Sequence, residues 1–337
     1  MSDRGSAGSP APAGETVTVG AGDAADTADA GVPPLARVGV DRAAHRRTDP
    51  QWLAKAWGRA RVLVVDTRGR TLVEAGDPAT AGGPGGARLV YVDPALAPAG
   101  ERLFLGVGPD DTPYFAVAAD LPERPGARAA NLRDVGADLS GLEAGLLVTA
   151  VALARWHASH GYAPASGAPT TVAQGGWVRV DGDGREIYPR TDPAVIVLVH
   201  DGVSGPEGRC LLGHNVAWRE PPDGRRFFSA FAGFVEAGES AEAAAAREVR
   251  EEVGVTISRL RYAGSQAWPF PASLMLGFLG AADPAQEVRP DRSEIAEARW
   301  FTRAEVAAIL AGAPAPVRLP APSSIALYLI RTWLADS

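Results

Sequence analysis

The sequence predicts an α/β fold in its C-terminal half, preceded by a smaller region built mostly from short strands. Three observations carry this reading. Residues 194–200 (AVIVLVH) are a continuous apolar run, the pattern of a central strand buried on both faces. Residues 240–254 read as a capped helix. Ser240 is an N-cap residue, Glu242 puts negative charge in the first turn, and residues 243–246 are all alanine. Gly254 then stands where helices stop at a left-handed residue. Residues 38–120, in contrast, alternate β-rich runs with turn signals.

In chain order, residues 1–35 are almost all Ala, Gly, Ser, Pro, Asp and Thr. They have little to bury and are expected to form a disordered tail. Residues 36–160 read as one small mixed domain. Within it, residues 61–66 (RVLVVD) and 71–74 flank Thr67-Arg68-Gly69-Arg70, a hairpin candidate. Residues 82–86 are a glycine loop and residues 88–93 (RLVYVD) a further strand. Residues 103–107 and 114–118 flank Gly108-Pro109-Asp110-Asp111, a second hairpin. Residues 142–160 form a helix, with Leu146, Leu147, Ala150, Leu153, Ala154 and Trp156 as its apolar stripe. His157 and His160 stand at i and i+3 on that helix. With no third ligand nearby they read as packing or surface histidines.

Residues 161–189 are polar and turn-rich. Residues 178–180 and 185–188 flank Asp181-Gly182-Asp183-Gly184, a hairpin turn. A calcium loop would need more ligands and a distal glutamate. Residues 190–337 form the last domain. After the central strand come a strand at 209–212, the stretch 226–231 that leads into the helix at 240–253, and a strand near Arg261. Segments at 274–279 and 297–301 follow. Helices at 303–310 and 323–334 close the chain, the latter after the breaker Pro320-Ala321-Pro322.

The chemistry concentrates in residues 233–255, GFVEAGESAEAAAAREVREEVGV. Glu248, Glu251 and Glu252 fall at i, i+3 and i+4, so their carboxylates share one helix face while Val249 and Val253 turn to the core. Like charges at this spacing cost about 0.2–0.5 kcal/mol per pair. A hard divalent cation such as Mg²⁺, which takes carboxylates and substrate phosphates as ligands, removes that cost. Arg247 supplies one fixed positive charge, and Glu239, just before the helix, is its expected bidentate partner. The bland alternative for the Glu-x-x-Glu-Glu part alone is a solvated acidic face.

Composition sets limits. The net charge of −7 argues against a general nucleic-acid binder, though not against a compact nucleotide carried on a metal. Cys210 is the one cysteine, which excludes an intrachain disulfide and a cysteine metal site and leaves a small buried strand residue. No basic stretch followed by an apolar run opens the chain, and no apolar run reaches membrane-spanning length, so a cytoplasmic protein is expected.

The full pattern of residues 233–255 resembles the Nudix box, G-x5-E-x7-R-E-U-x-E-E-x-G-U with U aliphatic, at every position. A second stretch, residues 265–275 (SQAWPFPASLM), has Pro269 and Pro271 bracketing Phe270, with Trp268 beside them. The prolines stiffen the segment, and the two aromatics make a stacking surface for flat rings. Gln266 and Ser273 can hydrogen-bond a ribose or an amide. The alternative is an aromatic loop packed on the core. Placed soon after a Nudix box, this stretch resembles S-Q-P-W-P-F-P-x-S, the signature of the NADH pyrophosphatase (NudC-type) branch. Leu132-Arg133 and residues 154–162 (ARWHASHGY) are also similar to that branch.

The resemblance implies an α/β/α sandwich over residues 190–337, a zinc-ribbon-like hairpin at 161–189 and a dimeric hydrolase. It implies metal ligands at Glu248, Glu252, Glu294 and the Ala232 carbonyl, with Glu251 assisting as ligand or base and Glu297 the neighbour to be told apart from Glu294. It implies a dinucleotide pocket shaped by Tyr188 and by Gln266, Ala267, Trp268, Pro269, Phe270, Pro271, Ala272 and Ser273. Phe234 is placed to stack on a ring, Ala326 to close the pocket, and Arg133 to reach the substrate.

Two departures stand out. Ala267 replaces a proline, which leaves that segment less rigid. The family's zinc thiolates fall at Ala163, Ser166 and near Asp181 and Gly184, so no zinc is expected. The expected reaction is Mg²⁺- or Mn²⁺-dependent hydrolysis of NAD(H) to AMP and nicotinamide mononucleotide, with removal of NAD caps from RNA as a related activity. ADP-ribose or another nucleoside diphosphate derivative is the alternative substrate. A Nudix fold kept as a ligand sensor is the alternative class.

Overall fold

The computed structural model describes residues 31–37, 39–76, 86–219 and 223–336. Most of the glycine loop expected at 82–86 and most of the tail expected at 1–35 lie outside these residues. Among the described residues no helix is long and apolar enough to cross a membrane.

The N-terminal region contains α1 (Pro50–Trp57), β1 (Arg61–Val65), β2 (Arg70–Ala75), β3 (Ala87–Leu89), β4 (Tyr91–Val92), β5 (Arg102–Val107), β6 (Pro113–Ala118), β7 (Arg128–Asn131), α2 (Leu132–Val135) and α3 (Gly141–Ser159). Its strands form two sheets, ordered β4-β1-β6-β5 and β3-β2-β7. The expected hairpin at 103–118 is present as β5 and β6. The one at 61–74 is not. Its turn closes, with Asp66 accepting from the backbone N–H of Arg68 and Arg70. Beyond the turn, however, β1 pairs with β4 and β6 while β2 pairs with β3 and β7. β1 is apolar on both faces, Val62 in the cluster beside α1 and Leu63 in the cluster beside α3. It therefore sits inside a sheet with a partner on each edge. The strand expected at 88–93 also divides: Leu89 pairs with Val73 in one sheet and Tyr91 with Leu63 in the other.

A ribbon of β8 (Thr170–Ala173), β9 (Val178–Asp181) and β10 (Glu186–Ile187) follows, ordered β10-β9-β8. Its turns are held by hydrogen bonds at and beside the positions where the resemblance placed zinc thiolates. Asp181 Oδ1 accepts from the N–H of Asp183 at 3.0 Å and of Arg185 at 2.9 Å. Ala163 N–H donates to Ala168 and Gly167 N–H to Ala163, each at 2.8 Å. His157 joins α3 to this ribbon, with Nε2 2.8 Å from Gly176 O and Nδ1 3.0 Å from an Arg179 nitrogen. It packs, as the lack of a third ligand nearby suggested.

The C-terminal region contains β11 (Asp192–His200), β12 (Arg209–Asn215), β13 (Arg226–Phe227), β14 (Phe231–Phe234), α4 (Ala241–Val253), β15 (Arg259–Trp268), β16 (Ser273–Ala281), β17 (Ile295–Thr302), α5 (Arg303–Leu310), β18 (Val317–Arg318) and α6 (Ile325–Ala335). Its main sheet runs β15-β16-β11-β12-β17, with β14 also on β11. The apolar run of β11 sorts by parity. Val195, Val197 and Val199 pack with Ala244, Ala245, Val249 and Val253 of α4. Ile196 and Leu198 pack with Leu329, Ile330 and Trp333 of α6. Each such side chain contributes about 1.5–3 kcal/mol on burial. The result is the α/β/α sandwich. Cys210 is buried in β12 with its thiol pKa pushed up by burial.

Two expectations change here. The segment at 265–275 is mostly strand, β15 running to Trp268 and β16 starting at Ser273, so only residues 269–272 turn. Antiparallel pairing continues as far as Trp268 with Ser273, and the two prolines with Phe270 between them occupy the turn that this pairing closes. The last part of the expected tail is anchored: Leu35 is 3% exposed in the core beside α3, and its N–H donates to Gln266.

Candidate active site

Helix α4 is placed by its caps. Ser240 Oγ accepts from Ala243 N–H, and Gly254 closes the helix at φ 72°. Val249 and Val253 are fully buried, which fixes the rotation of the helix. The acidic residues then grade from core to solvent: Glu252 is buried at 5% exposure, Glu248 is half-buried, and the Glu251 side chain is 57% exposed. Arg247 organises them. Its Nε and Nη2 meet Glu239 Oε1 and Oε2, each at 2.9 Å, as the sequence suggested. Its Nη1 donates to Glu248 at 2.8 Å and to Glu251 at 2.9 Å, and Nη2 also reaches Phe234 O at 3.0 Å. One guanidinium ties the end of β14, the loop before α4 and the helix together.

Glu252 is the least relaxed group. Its Oε2 is buried with no hydrogen-bond partner. Burial first, then the neighbouring Glu248 and Glu294, push its carboxyl up to about 8. Burial likewise raises Glu248, with Arg247 opposing and Glu251 and Glu294 reinforcing. Ala232, on β14, presents its backbone N–H to Glu252. Gly233 beside it leaves room for Glu248: a Cβ there would sit 2.1 Å from the Glu248 carboxylate. Glu294 is told apart from Glu297 by its surroundings. Glu297 is taken by Arg226 at 2.6 Å, whereas Glu294 acts on both Glu248 and Glu252.

Among the described residues no group of three or more His, Cys, Asp or Glu side chains stands ready to enclose a metal ion. The donor set still fits a hard divalent cation. Two half-buried to buried carboxylates have raised pKa values, and one of their oxygens lacks a partner. Mg²⁺ completes its shell with substrate phosphate oxygens and water, so an open set of carboxylates is what it uses.

The second group is the aromatic turn. Trp268 and Phe270 meet edge to face, centroids 5.1 Å apart, and both pack on the N-terminal core. Arg133 lies over Phe270 at 4.2 Å and over Trp268 at 5.2 Å, and Arg155 over Phe270 at 5.0 Å. Burial, then the Arg155 charge, lowers the Arg133 pKa.

The two groups flank one end of β11. At the start of β11, Asp192 pairs with Ser273 on one edge, while Ala194 and Val195 pair with Phe234 and Gly233 on the other. Phe234 is 58% exposed there. Other expected residues stand elsewhere or face differently. Gln266 is 1% exposed and its amide is spent on Leu35 and Ser323, so it has no free face for a ribose. Ser273 and Ala326 are buried, Ala326 in the α6 core. Tyr188 is exposed and its hydroxyl donates to Glu186. Among the described residues no hydrogen bond or ring contact ties Tyr188 or Ala326 to either group.

Sequence reasoning missed Asp291 and Arg155. Asp291 accepts from the N–H of Glu294 and Ile295 and so fixes the approach of Glu294. Its signal was the local Asp-Arg-Ser-Glu run, a side chain capping its own turn. Arg155 gave no signal of its own, because its contact with Phe270 crosses between regions.

Residues 190–320 match the NUDIX domain, and residues 54–156 match the NADH pyrophosphatase-like rudimentary NUDIX domain. The chain is 43% identical over 316 residues to the NAD-capped RNA hydrolase NudC of Mycobacterium tuberculosis, covering 90% of this chain and 95% of that protein. It is 37% identical over 204 residues to the NAD-capped RNA hydrolase NUDT12 of Homo sapiens, covering 57% of this chain and 42% of that protein.

Proposed function

The chain belongs to the NudC-type branch of the Nudix hydrolases, and from that premise we propose that it hydrolyses the pyrophosphate of NAD(H) to AMP and nicotinamide mononucleotide. One observation carries the reading: the carboxylate face behind Gly233–Phe234 and the aromatic turn flank the same end of β11. A ligand with a flat ring at one end and a diphosphate at the other spans such a pair of surfaces.

In this reading Glu248, Glu252 and Glu294, with the Ala232 carbonyl, hold Mg²⁺ or Mn²⁺. When bound, a divalent ion supplies charge neutralisation at the phosphates and lowers the pKa of a coordinated water. The chain's own side chains do the rest. Arg247 holds Glu248 and Glu251 in register with the end of β14. Glu251, the solvent-facing carboxylate, accepts the proton of the attacking water. Trp268, Phe270 and the exposed ring of Phe234 take the flat rings by stacking.

The relatives named as NAD-capped RNA hydrolases favour a second substrate of the same chemistry, RNA bearing NAD at its 5′ end. A homodimer is proposed on the family relationship. The test is product analysis by liquid chromatography after incubation with Mg²⁺ or Mn²⁺ and, in turn, NADH, ADP-ribose and NAD-capped RNA. AMP plus reduced nicotinamide mononucleotide from NADH is the expected result. Cleavage of ADP-ribose with NADH left intact would overturn the substrate, and no cleavage of any would point to a ligand sensor.

A further inference from the structure

We propose that Gln266 is a positioning residue. It clasps the leading segment 31–37 and α2 to the aromatic turn, and this clasp sets affinity for the dinucleotide. The inference rests on the substrate proposed above and extends it to residues outside the pocket.

Four chain segments meet in one hydrogen-bonded series. Leu35 N–H donates to Gln266 Oε1 at 3.0 Å. Gln266 Nε2 donates to Ser323 O at 2.9 Å. Ser323 Oγ donates to Arg133 O at 2.5 Å. The Arg133 guanidinium then covers Phe270 and Trp268, which lie on the same hairpin as Gln266. The series therefore closes on itself, from the hairpin to the start of α6, to α2 and back to the hairpin tip, with the leading segment joined to it at Gln266.

The surroundings make this a tight connection. Leu35, Gln266 and Ser323 are 3%, 1% and 1% exposed, so a broken bond leaves a buried polar group unpaired. The amide orientation is fixed by its partners, an N–H on one side and a carbonyl on the other. Leu35 fits against Gly136, where a Cβ would approach its Cδ2 to 2.5 Å. Pro33 lies close over Gly264 of β15, and Arg37 bonds Pro34 O at 2.7 Å and Gly136 O at 3.0 Å. The rudimentary N-terminal region thereby acts on the site without adding a group to the carboxylate cluster.

The test uses the full chain and the variants Leu35→Ala, Ser323→Ala, Gln266→Met and the double variant Leu35→Ala/Gln266→Met. Steady-state kinetics on NADH are expected to show KM raised about threefold to tenfold in Leu35→Ala and Ser323→Ala, with kcat within about twofold of wild type. The double variant should be no worse than Gln266→Met alone, because Leu35→Ala keeps the N–H and acts only by unseating the segment whose N–H Gln266 accepts. Hydrogen exchange over residues 264–274 should quicken in both single variants outside the pocket. Unchanged KM with unchanged exchange overturns the clasp even if thermal stability falls. Multiplied effects in the double variant also overturn it, since Gln266 would then act on the substrate directly. Wild type that leaves NADH intact sinks the proposed substrate, and the exchange experiment still decides the clasp.

Discussion

Arg247 and Glu239 meet at two points, Nε to Oε1 and Nη2 to Oε2, both at 2.9 Å. Glu239 is held below its ordinary pKa by this pair. The fork leaves the third nitrogen free for Glu248 and Glu251. A lysine offers a point charge and cannot reproduce a planar fork. Arg247→Lys is therefore expected to keep the fold by circular dichroism and to lose kcat by roughly tenfold to a hundredfold, the worth of one or two charge-assisted hydrogen bonds.

Gly233→Ala isolates the placement of Glu248. The added methyl meets the carboxylate at 2.1 Å, and that carboxylate is the far end of a flexible side chain. It moves aside at little cost in stability. Displacement by about 1 Å at a reacting centre costs on the order of a hundredfold in rate. A melting temperature close to wild type with kcat down by about that factor is the expected pair of readings.

These two sites were legible in the sequence because their determinants are local. Ser240, the alanine run and Gly254 fix α4, and periodicity fixes which residues face the core. Glu294 was separable from Glu297 only once Arg226 was seen to claim the latter across the fold. Turn chemistry at 66–70 was read correctly, yet the strands on either side pair elsewhere, since two-faced burial rather than the turn decides partners. Gln266 was misread for a stronger reason. Its partner Leu35 lies 231 residues away, in a stretch whose composition suggested nothing to bury.

Glu252 predicts an inverted pH response in the metal-free protein. Its carboxyl is raised to about 8 in the fold, from an ordinary value of 4.5, so between those values the native state holds a proton that the unfolded state has lost. Stability from this group is fully present below about pH 4.5 and is lost as pH rises through 8. Melting temperatures in a chelator should fall across that window more steeply in wild type than in Glu252→Gln. Excess Mg²⁺ should flatten the wild-type fall. Glu252→Gln should also be the more stable of the two at pH 8 without metal, while losing turnover with it. Parallel curves would remove the buried charge as the cause.

Asp181→Ala tests how the ribbon holds without thiolates. The carboxylate accepts two backbone N–H groups and is nearly buried. Loss of these bonds is expected to cost about 1–3 kcal/mol and to quicken hydrogen exchange over residues 178–187. Exchange unchanged there would show that the β8–β9 pairing alone suffices.

Glu251 and Glu252 divide the work by exposure. Glu252 is buried against Glu248 and Glu294, where the proposed cation would be held, and has little exposure through which to release a proton to solvent. Glu251 stands in solvent at 57% side-chain exposure and is aimed by Arg247 at 2.9 Å. A carboxylate that is oriented yet wet can take a proton and release it each cycle. Glu251→Gln keeps the shape and most of the Arg247 contact but removes the basic oxygen. Turnover on NADH should fall about a hundredfold to ten-thousandfold, with Mg²⁺ affinity by calorimetry changed far less than in Glu252→Gln. If the two variants instead lose metal equally and activity equally, Glu251 is a ligand like its neighbour, and the proton must go elsewhere.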